Sequence, residues 1–557
     1  MNSALHGFRK FAYSRQAIED MKKTLLIAAT ILTISQLQAQ TKQQNQQNVQ
    51  QNRTAQSRLT ETSALDWPVA PSYIYPEIGE KRHQLDYIFV DISDWEKYCA
   101  GDKYETNVEI PAKVTYYTKD NELVFSQTCG IRLSGIFIRK LPQKSIAVEF
   151  SGKRFGSEKT FYDMFPTRDY DRIRGFVIRA HGNPMGLTFF KDGMMNESLD
   201  EWTDLEYSAY RPIVIYVNGQ YHGLYNLREK KNKDFLRNLY SLPKGDIEVF
   251  DVNGGEPDGE QPDYREILQY VRDNDMSKSV HYKWVSDRLE IDNFIDYNIA
   301  HSFYCNTDWP KANVKVWRPK GGKYRFLFFD CDRGFIKGNV NFNTIDHISG
   351  IDQWQLRRND DKYDERLAKS SILMTKLCDN KEFTQKFAIR YQDLLNTCFT
   401  SDRLVDYIDM CRARIESEVP DHITYWKDIK NEATYQFTET VEQWERHIAD
   451  CHEFVQKRPA WERRFLSKKW NLGDEIKIPF MNPDTTAGYA KINTVVIKDE
   501  FMRGIYFSNL DVKLQAIPNR GYEFDHWEGY ESSDTIIVVS PDKLTKGIKP
   551  HFRPIEK

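Results

Sequence analysis

Residues 306–334 read NTDWPKANVKVWRPKGGKYRFLFFDCDRG, and this stretch organises the reading of the whole chain. Its run YRFLFFD, 324–330, is an uninterrupted aromatic and aliphatic segment, which predicts a strand buried on both faces. Upstream of it, Asp308 precedes Asn313 by five residues, and the strand ends in the pair Asp330 and Asp332. Oxygen side chains of this kind are the ligands that Mg²⁺ takes. Asp and Asn are also common in loops, where their side chains bond nearby backbone, so the spacing alone is a weak pattern.

Working outward, Ile291, Phe294, Ile295, Asn298 and Ile299 fall at helical spacing just before this segment. Further upstream, PIVIYVNGQYHGLYNL (212–227) has two β-rich runs joined through Asn218-Gly219, a dipeptide that tolerates the positive φ of a type I′ hairpin turn. Strand-like runs at Tyr87–Val90, Val114–Tyr117, Leu123–Phe125 and Ile146–Phe150 predict an N-terminal lobe of antiparallel sheet. Downstream, 363–470 is helical in pattern, and from about 478 the chain turns to short alternating runs. The acidic loop at 251–263 fails the EF-hand pattern because Gly255 stands where a third oxygen side chain belongs, so a solvated surface loop is expected.

The chain has 557 residues, enough for two to four folding units at about 100–200 residues each. Lys plus Arg total 78 against 81 Asp plus Glu, and a net charge of -3 gives no electrostatic reason to expect nucleic acid as partner. Eight cysteines form no C-x-x-C pair, so a metal-thiolate site is not expected; buried thiols or one or two disulfides both remain open. MKKTLLIAATILTISQLQA at 21–39 reads as a secretory signal peptide, which makes 1–20 an extension upstream of the true start. Its apolar run, Leu25 to Ile34, would span about 15 Å as a helix, half of the roughly 30 Å a membrane core requires, so no stable anchor is predicted. Residues 40–63 begin with a Gln/Asn tract too polar to fold and form a linker. The mature protein is expected to be secreted or periplasmic. Twelve histidines include no H-E-x-x-H, and neither G-x-S-x-G nor a P-loop pattern occurs, so the local signatures of zinc proteases, serine hydrolases and P-loop enzymes are missing.

Phosphoryl transfer needs a carboxylate to orient the acceptor hydroxyl, oxygen ligands for Mg²⁺ and a cation over the phosphates. In the protein-kinase catalytic loop the base Asp also precedes a metal-binding Asn by five residues, with a further Asp downstream at a strand end. Four blocks of this sequence, in order, resemble the CotH kinase family of atypical kinases. They are G-x-R-x-x-G…P-x-K-S at 130–145, V-N-G-x-Y-x-G-L-Y-x-L-x-E at 217–229, F-I-D-Y…N-x-D-W-P-x-x-N at 294–313, and D-x-D at 330–332. The resemblance implies an α+β, reduced kinase-like fold of two lobes over 64–475. It makes Asp308 the candidate catalytic base, Asn313 with Asp330 or Asp332 the Mg²⁺ ligands, and Lys144 the contact to ATP phosphates. Arg132 and Glu229 match family positions too, and a Lys–Glu pair would fix the lysine over the phosphates. The chain departs from the family where R-x-R-G has become Arg132-Leu133-Ser134-Gly135 and P-K-K has become Pro142-Gln143-Lys144.

The segment VKLQAIPNRGYEFDHWEG resembles a bacterial surface-protein repeat related to the divergent internalin B-repeat, through Pro518, Gly521, Tyr522, Phe524, Trp527 and Gly529. That implies a small all-β domain over 478–557. Its aromatics could bind a glycan or another surface ligand, but core packing is the stronger reading. The expected function is a secreted, ATP- and Mg²⁺-dependent kinase acting on Ser or Thr of an exported or surface protein. The alternatives are a non-catalytic surface-binding protein on the same scaffold, and a metal-dependent enzyme acting on another phosphorylated or sugar substrate.

Overall fold

The computed structural model describes residues 83–555 apart from 94, 101–108, 136, 157–159, 171, 182–186, 253–260, 354–364, 430–437, 483 and 498–499. The expected extension, export signal and linker at 1–63 lie outside the described residues, as does most of the acidic loop at 251–263.

The described chain opens with β1 (Tyr87–Asp91), β2 (Ile110–Tyr117), β3 (Leu123–Ser134), β4 (Ser145–Glu149), a short ribbon of β5 (Thr160–Phe161) and β6 (Arg172–Ile173), and β7 (Gly175–Arg179). After the helix Lys191–Glu197 come β8 (Glu206–Tyr207), β9 (Tyr210–Val217) and β10 (Gln220–Glu229). Seven of these strands close into a barrel in the order β1-β2-β3-β4-β7-β10-β9. The sequence predicts an antiparallel sheet here; the structure differs in that β1 also pairs in parallel with β9, Tyr87 opposite Val214, which satisfies the strand edges that an open sheet would leave bare. The β9–β10 hairpin turns at Asn218 (φ 50°) and Gly219 (φ 76°), the type I′ geometry predicted from the sequence.

Register fixes what each face of the barrel carries. Ile131, Val148 and Phe176 lie opposite one another, as do Ile178 and Leu227, and all five are fully buried in the barrel's lining. The other face carries Arg132, Ala147, Val177 and Arg228 in one cross-strand row, with Ser134 opposite Ser145 and Arg179 opposite Asn226 beside it.

A second sheet sets β11 (Ile247–Asp251), β12 (Lys315–Pro319) and β13 (Arg325–Phe328) in the order β11-β12-β13-β8. In β13, Phe326 and Phe328 join the main core while Leu327 packs with Phe235, Leu236, Ile247 and Trp317, so both faces are buried as the sequence predicts. The helix Ile291–Phe303 passes behind this sheet with every side chain but Asp292 buried. Most of the remaining core comes from the helices Lys381–Leu395, Ser401–Ile415, Val419–Trp426 and Val441–Trp470. The last is clamped by Arg458, fully buried, which ion-pairs with Glu462 and donates to the carbonyls of Ser302, Phe303, Val340 and Phe342.

The chain ends in β14 (Glu475–Met481), β15 (Gly488–Ile492), β16 (Val495–Ile497), β17 (Phe501–Phe507), β18 (Val512–Pro518), β19 (Tyr522–Glu528), β20 (Ile536–Val539) and β21 (Lys549–Pro554). Trp527 sits in their core at 3% exposure and donates Nε1–H to Asp534 O, which is the packing role expected of this aromatic. Gly529 (φ 93°) is required by a close approach: a Cβ there would stand 2.2 Å from the carbonyl oxygen of Gly547.

The molecule is α+β. A helical portion packs with a closed seven-strand barrel and several smaller sheets. All eight cysteines are free thiols, six of them buried, so the disulfide alternative falls away. Among the described residues no helix is long and apolar enough to cross a membrane.

Candidate active site

Asp308 is presented by a loop that leaves the helix Ile291–Phe303 through Cys305 (φ 54°). Three contacts fix it. Trp309 stacks on His301 with ring centroids 4.3 Å apart and donates Nε1–H to the Tyr297 hydroxyl at 2.7 Å, while Asn306 Nδ2 donates to Asp330 O at 3.0 Å. The last of these ties the loop to the end of β13. Asp308 Oδ1 is buried without a hydrogen-bond partner among the described residues. Burial, and after it the charge of Asp330, pushes the Asp308 carboxyl up to about 6, against the pull of Arg333 and Arg179.

The β12–β13 hairpin brings the other oxygen ligands near. Lys315 lies opposite Leu327 and Val316 opposite Phe326, and continuing that register sets residue 313 level with residues 329 and 330. Asn313 (φ 60°) and Asp330 (φ 56°) both adopt the left-handed backbone that Asn and Asp tolerate better than other non-glycine residues. Beyond them Gly334 lets the chain pass close by, since a Cβ there would stand 2.8 Å from Tyr304 O and 2.9 Å from Met195 Sδ.

The carboxylates are balanced by cations from the barrel. Arg179, at the end of β7, places Nη2 2.7 Å from Asp330 Oδ1 and 3.4 Å from Asp332 Oδ2, and Nε 3.5 Å from Asp192 Oδ2. Asp192 also takes Arg228 Nη1 at 2.7 Å and the Cys331 amide at 2.7 Å. Burial disfavours its charge, but Arg228 and Arg179 more than reverse this and hold it below the usual carboxylate range. Asp332 differs: burial, then the charge of Asp330, raises it to about 7 even with Arg179 alongside. Lys231, just past β10, stands with Nζ 4.9 Å from the centre of the Phe329 ring. Burial, then Arg228, lowers its pKa to about 7.

The structure therefore brings Asp308, Asp330 and Asp332 together and sets Asn313 at the same strand end. It does not bring the other three sequence-predicted residues to them. Lys144 donates Nζ–H to Arg139 O at 2.6 Å, and burial lowers its pKa, with Cys99 acting the other way. Glu229 is saturated elsewhere, by Arg168 through Nε and Nη2, by the Tyr170 hydroxyl and by the Ala209 amide, so no Lys144–Glu229 pair forms. Arg132 shares the barrel face of Arg179, one strand pair away across β4. Arg179, Asp192, Arg228 and Lys231 escape the sequence reading, because a charged residue at a strand end or in the first turn of a helix has no local signal that separates a site from a solvated edge.

Among the described residues no three His, Cys, Asp or Glu side chains form a ready-made metal cage. Mg²⁺ seldom needs one, because it is held by one or two carboxylates and completes its shell with water and substrate phosphate. The donor set fits that demand: the 28% exposed side chain of Asp330 is an oxygen ligand open to an entering ion, with Asn313 at the same strand end.

Residues 131–462, more than half of the chain, match the family model described as CotH kinase protein. No curated protein matches the chain. The family match takes in the barrel face, the Asp308 loop and the Asp330 strand end, and the chain belongs to the CotH kinase family.

Proposed function

We propose that this chain transfers the γ-phosphate of ATP, with Mg²⁺, to a Ser or Thr hydroxyl of an exported or surface protein. The observation that carries this is Asp308: a buried carboxylate, raised to about 6, with one oxygen unbonded, on a loop tied to Asp330. Such a group is ionised at neutral pH yet poised to accept a hydroxyl proton. Asn313 and Asp330 would hold Mg²⁺, which when bound neutralises charge developing on the phosphates. Asp330 is the better ligand of the two strand-end acids, because its side chain is 28% exposed against 13% for Asp332, whose charge burial disfavours. Arg132 shares the barrel face of Arg179, which supports a role for it toward the nucleotide. The signal-like segment at 21–39 supports an exported acceptor.

A second reading, a non-catalytic surface-binding scaffold, is favoured by one feature. Gathered carboxylates need a counter-charge, and Arg179 already supplies one by pairing with Asp330 and Asp332 without metal. Calorimetric titration of ATP into the protein separates the two. Mg²⁺-dependent binding that Asp330→Ala abolishes, with transfer but not binding lost in Asp308→Asn, is the outcome expected of a kinase; a folded wild type that takes up no ATP leaves the scaffold.

A further inference from the structure

We propose that Arg179 and Lys231, and not Lys144, form the phosphate-binding side of the site. The inference rests on the kinase reading above and deepens it. A triphosphate must meet cations that stand beside the acids and still have N–H groups to offer. Lys144 fails the first: no carboxylate of the site acts on its buried ammonium, which donates to the Arg139 carbonyl.

Arg179 meets both. Its guanidinium carries five N–H donors in a planar fork, of which the three carboxylates engage only the Nε and Nη2 edge. Its side chain is 30% exposed, so the remaining edge is open to an incoming anion while the acids hold the group in place. Its position is set by the barrel, since Arg179 lies opposite Asn226 in the β7–β10 ladder.

Lys231 supplies the second cation. It follows Lys230, whose ammonium pairs with Glu149. Lys231 has no carboxylate ion pair among the described residues; its Nζ rests over the Phe329 ring, next to Asp330 in sequence, and Arg228, Asp192, Arg179 and Asp330 are the charges acting on it. A ring face compensates an enclosed ammonium only in part, so an anion arriving at this point gains a partner the protein itself withholds. Arg179 and Lys231 both feel Asp330, which sets both cations near the proposed metal ligand.

The test is titration of ATP with Mg²⁺ into the full chain and into Lys231→Met, Arg179→Met and Lys144→Met, followed by calorimetry. Loss of a charge-assisted hydrogen bond predicts that the first two weaken binding by about tenfold or more, while Lys144→Met stays within about threefold of wild type. Lys231→Arg should restore most of the affinity, which a merely structural lesion would not allow. Arg179→Met leaves the acids short of a counter-charge; if it fails to fold, the two Lys231 variants carry the comparison. Unchanged binding in Lys231→Met, or a loss in Lys144→Met as large as that in Lys231→Met, overturns the assignment while the kinase reading stands. A folded wild type that binds no ATP overturns both.

Discussion

Asp332 and Asp308 are carboxylates kept under tension by their surroundings. Burial is the leading cause in each, the charge of Asp330 adds to it, and the pair is raised from 3.8 to about 7 and about 6. A folded-state pKa above the unfolded one means that the protonated form suits the fold: the contribution to stability is full below the unfolded value and is lost as pH rises through the folded one. Asp332→Asn removes that loss. In metal-free protein at pH 8 the variant should be more stable than wild type by about 2 kcal/mol in urea unfolding, and the gap should narrow as pH falls below about 7 and close near the unfolded value of 3.8. A constant gap across pH would show that the change acts through packing. If Asp308 is the base, transfer should also fall as pH drops through about 6, with Asp330→Ala inactive at every pH. The oxygen-bearing residues were legible in the sequence because Asp308, Asn313, Asp330 and Asp332 lie within one loop–hairpin segment. Arg179, Asp192 and Lys231 were not, since they reach the acids only through the register of β7 with β10 and the contact of the β10 end with Phe329.

At the scale of elements, the helix Lys381–Leu395 joins the kinase-family region to the C-terminal sheets through side chains that replace ladder bonds. Asp393 accepts from the Thr494 amide at 2.9 Å and hydroxyl at 2.6 Å and from Asn493 Nδ2 at 3.1 Å. Gln392 Oε1 accepts from the Phe507 amide at 2.7 Å, and Asn396, just past the helix, bonds both the amide and the carbonyl of Ile505. Asp393→Ala would leave the Thr494 amide and hydroxyl and the Asn493 amide group short of an acceptor, at a cost of about 3 kcal/mol, measurable as a lower urea midpoint. A change below about 1 kcal/mol would mean that water replaces the carboxylate. The hairpin at Asn218-Gly219 and the doubly buried β13 were readable from local composition, because turn chemistry and apolar runs are local. Closure of the barrel was not: the parallel β1–β9 pairing joins segments more than a hundred residues apart and leaves no mark in either strand.

For the whole molecule, the question is whether the C-terminal sheets form a detachable module, as the change of pattern near 478 implies. Their own core is distinct, built around Ile478, Ile492, Leu514 and Trp527. Yet Phe507 and Leu510 belong to the main core together with Leu472, and Gln392 Oε1, the Asp393 carboxylate and Asn396 all bond this segment. Ending the chain after Gly473 would therefore strip two apolar side chains from the main core and expose buried polar atoms. Each truncated core side chain costs about 2–5 kcal/mol and each orphaned polar group about 1–3 kcal/mol, a sum comparable to the whole stability of a typical domain. The truncated protein should melt well below the full chain in calorimetry. Arg179, Lys231, Asp308 and Asp330 are untouched by these contacts, so the fraction that stays folded at low temperature should bind ATP with Mg²⁺ as the full chain does. An unchanged melting temperature would make the C-terminal sheets an appended module; a lost nucleotide affinity in folded protein would tie them to the site itself.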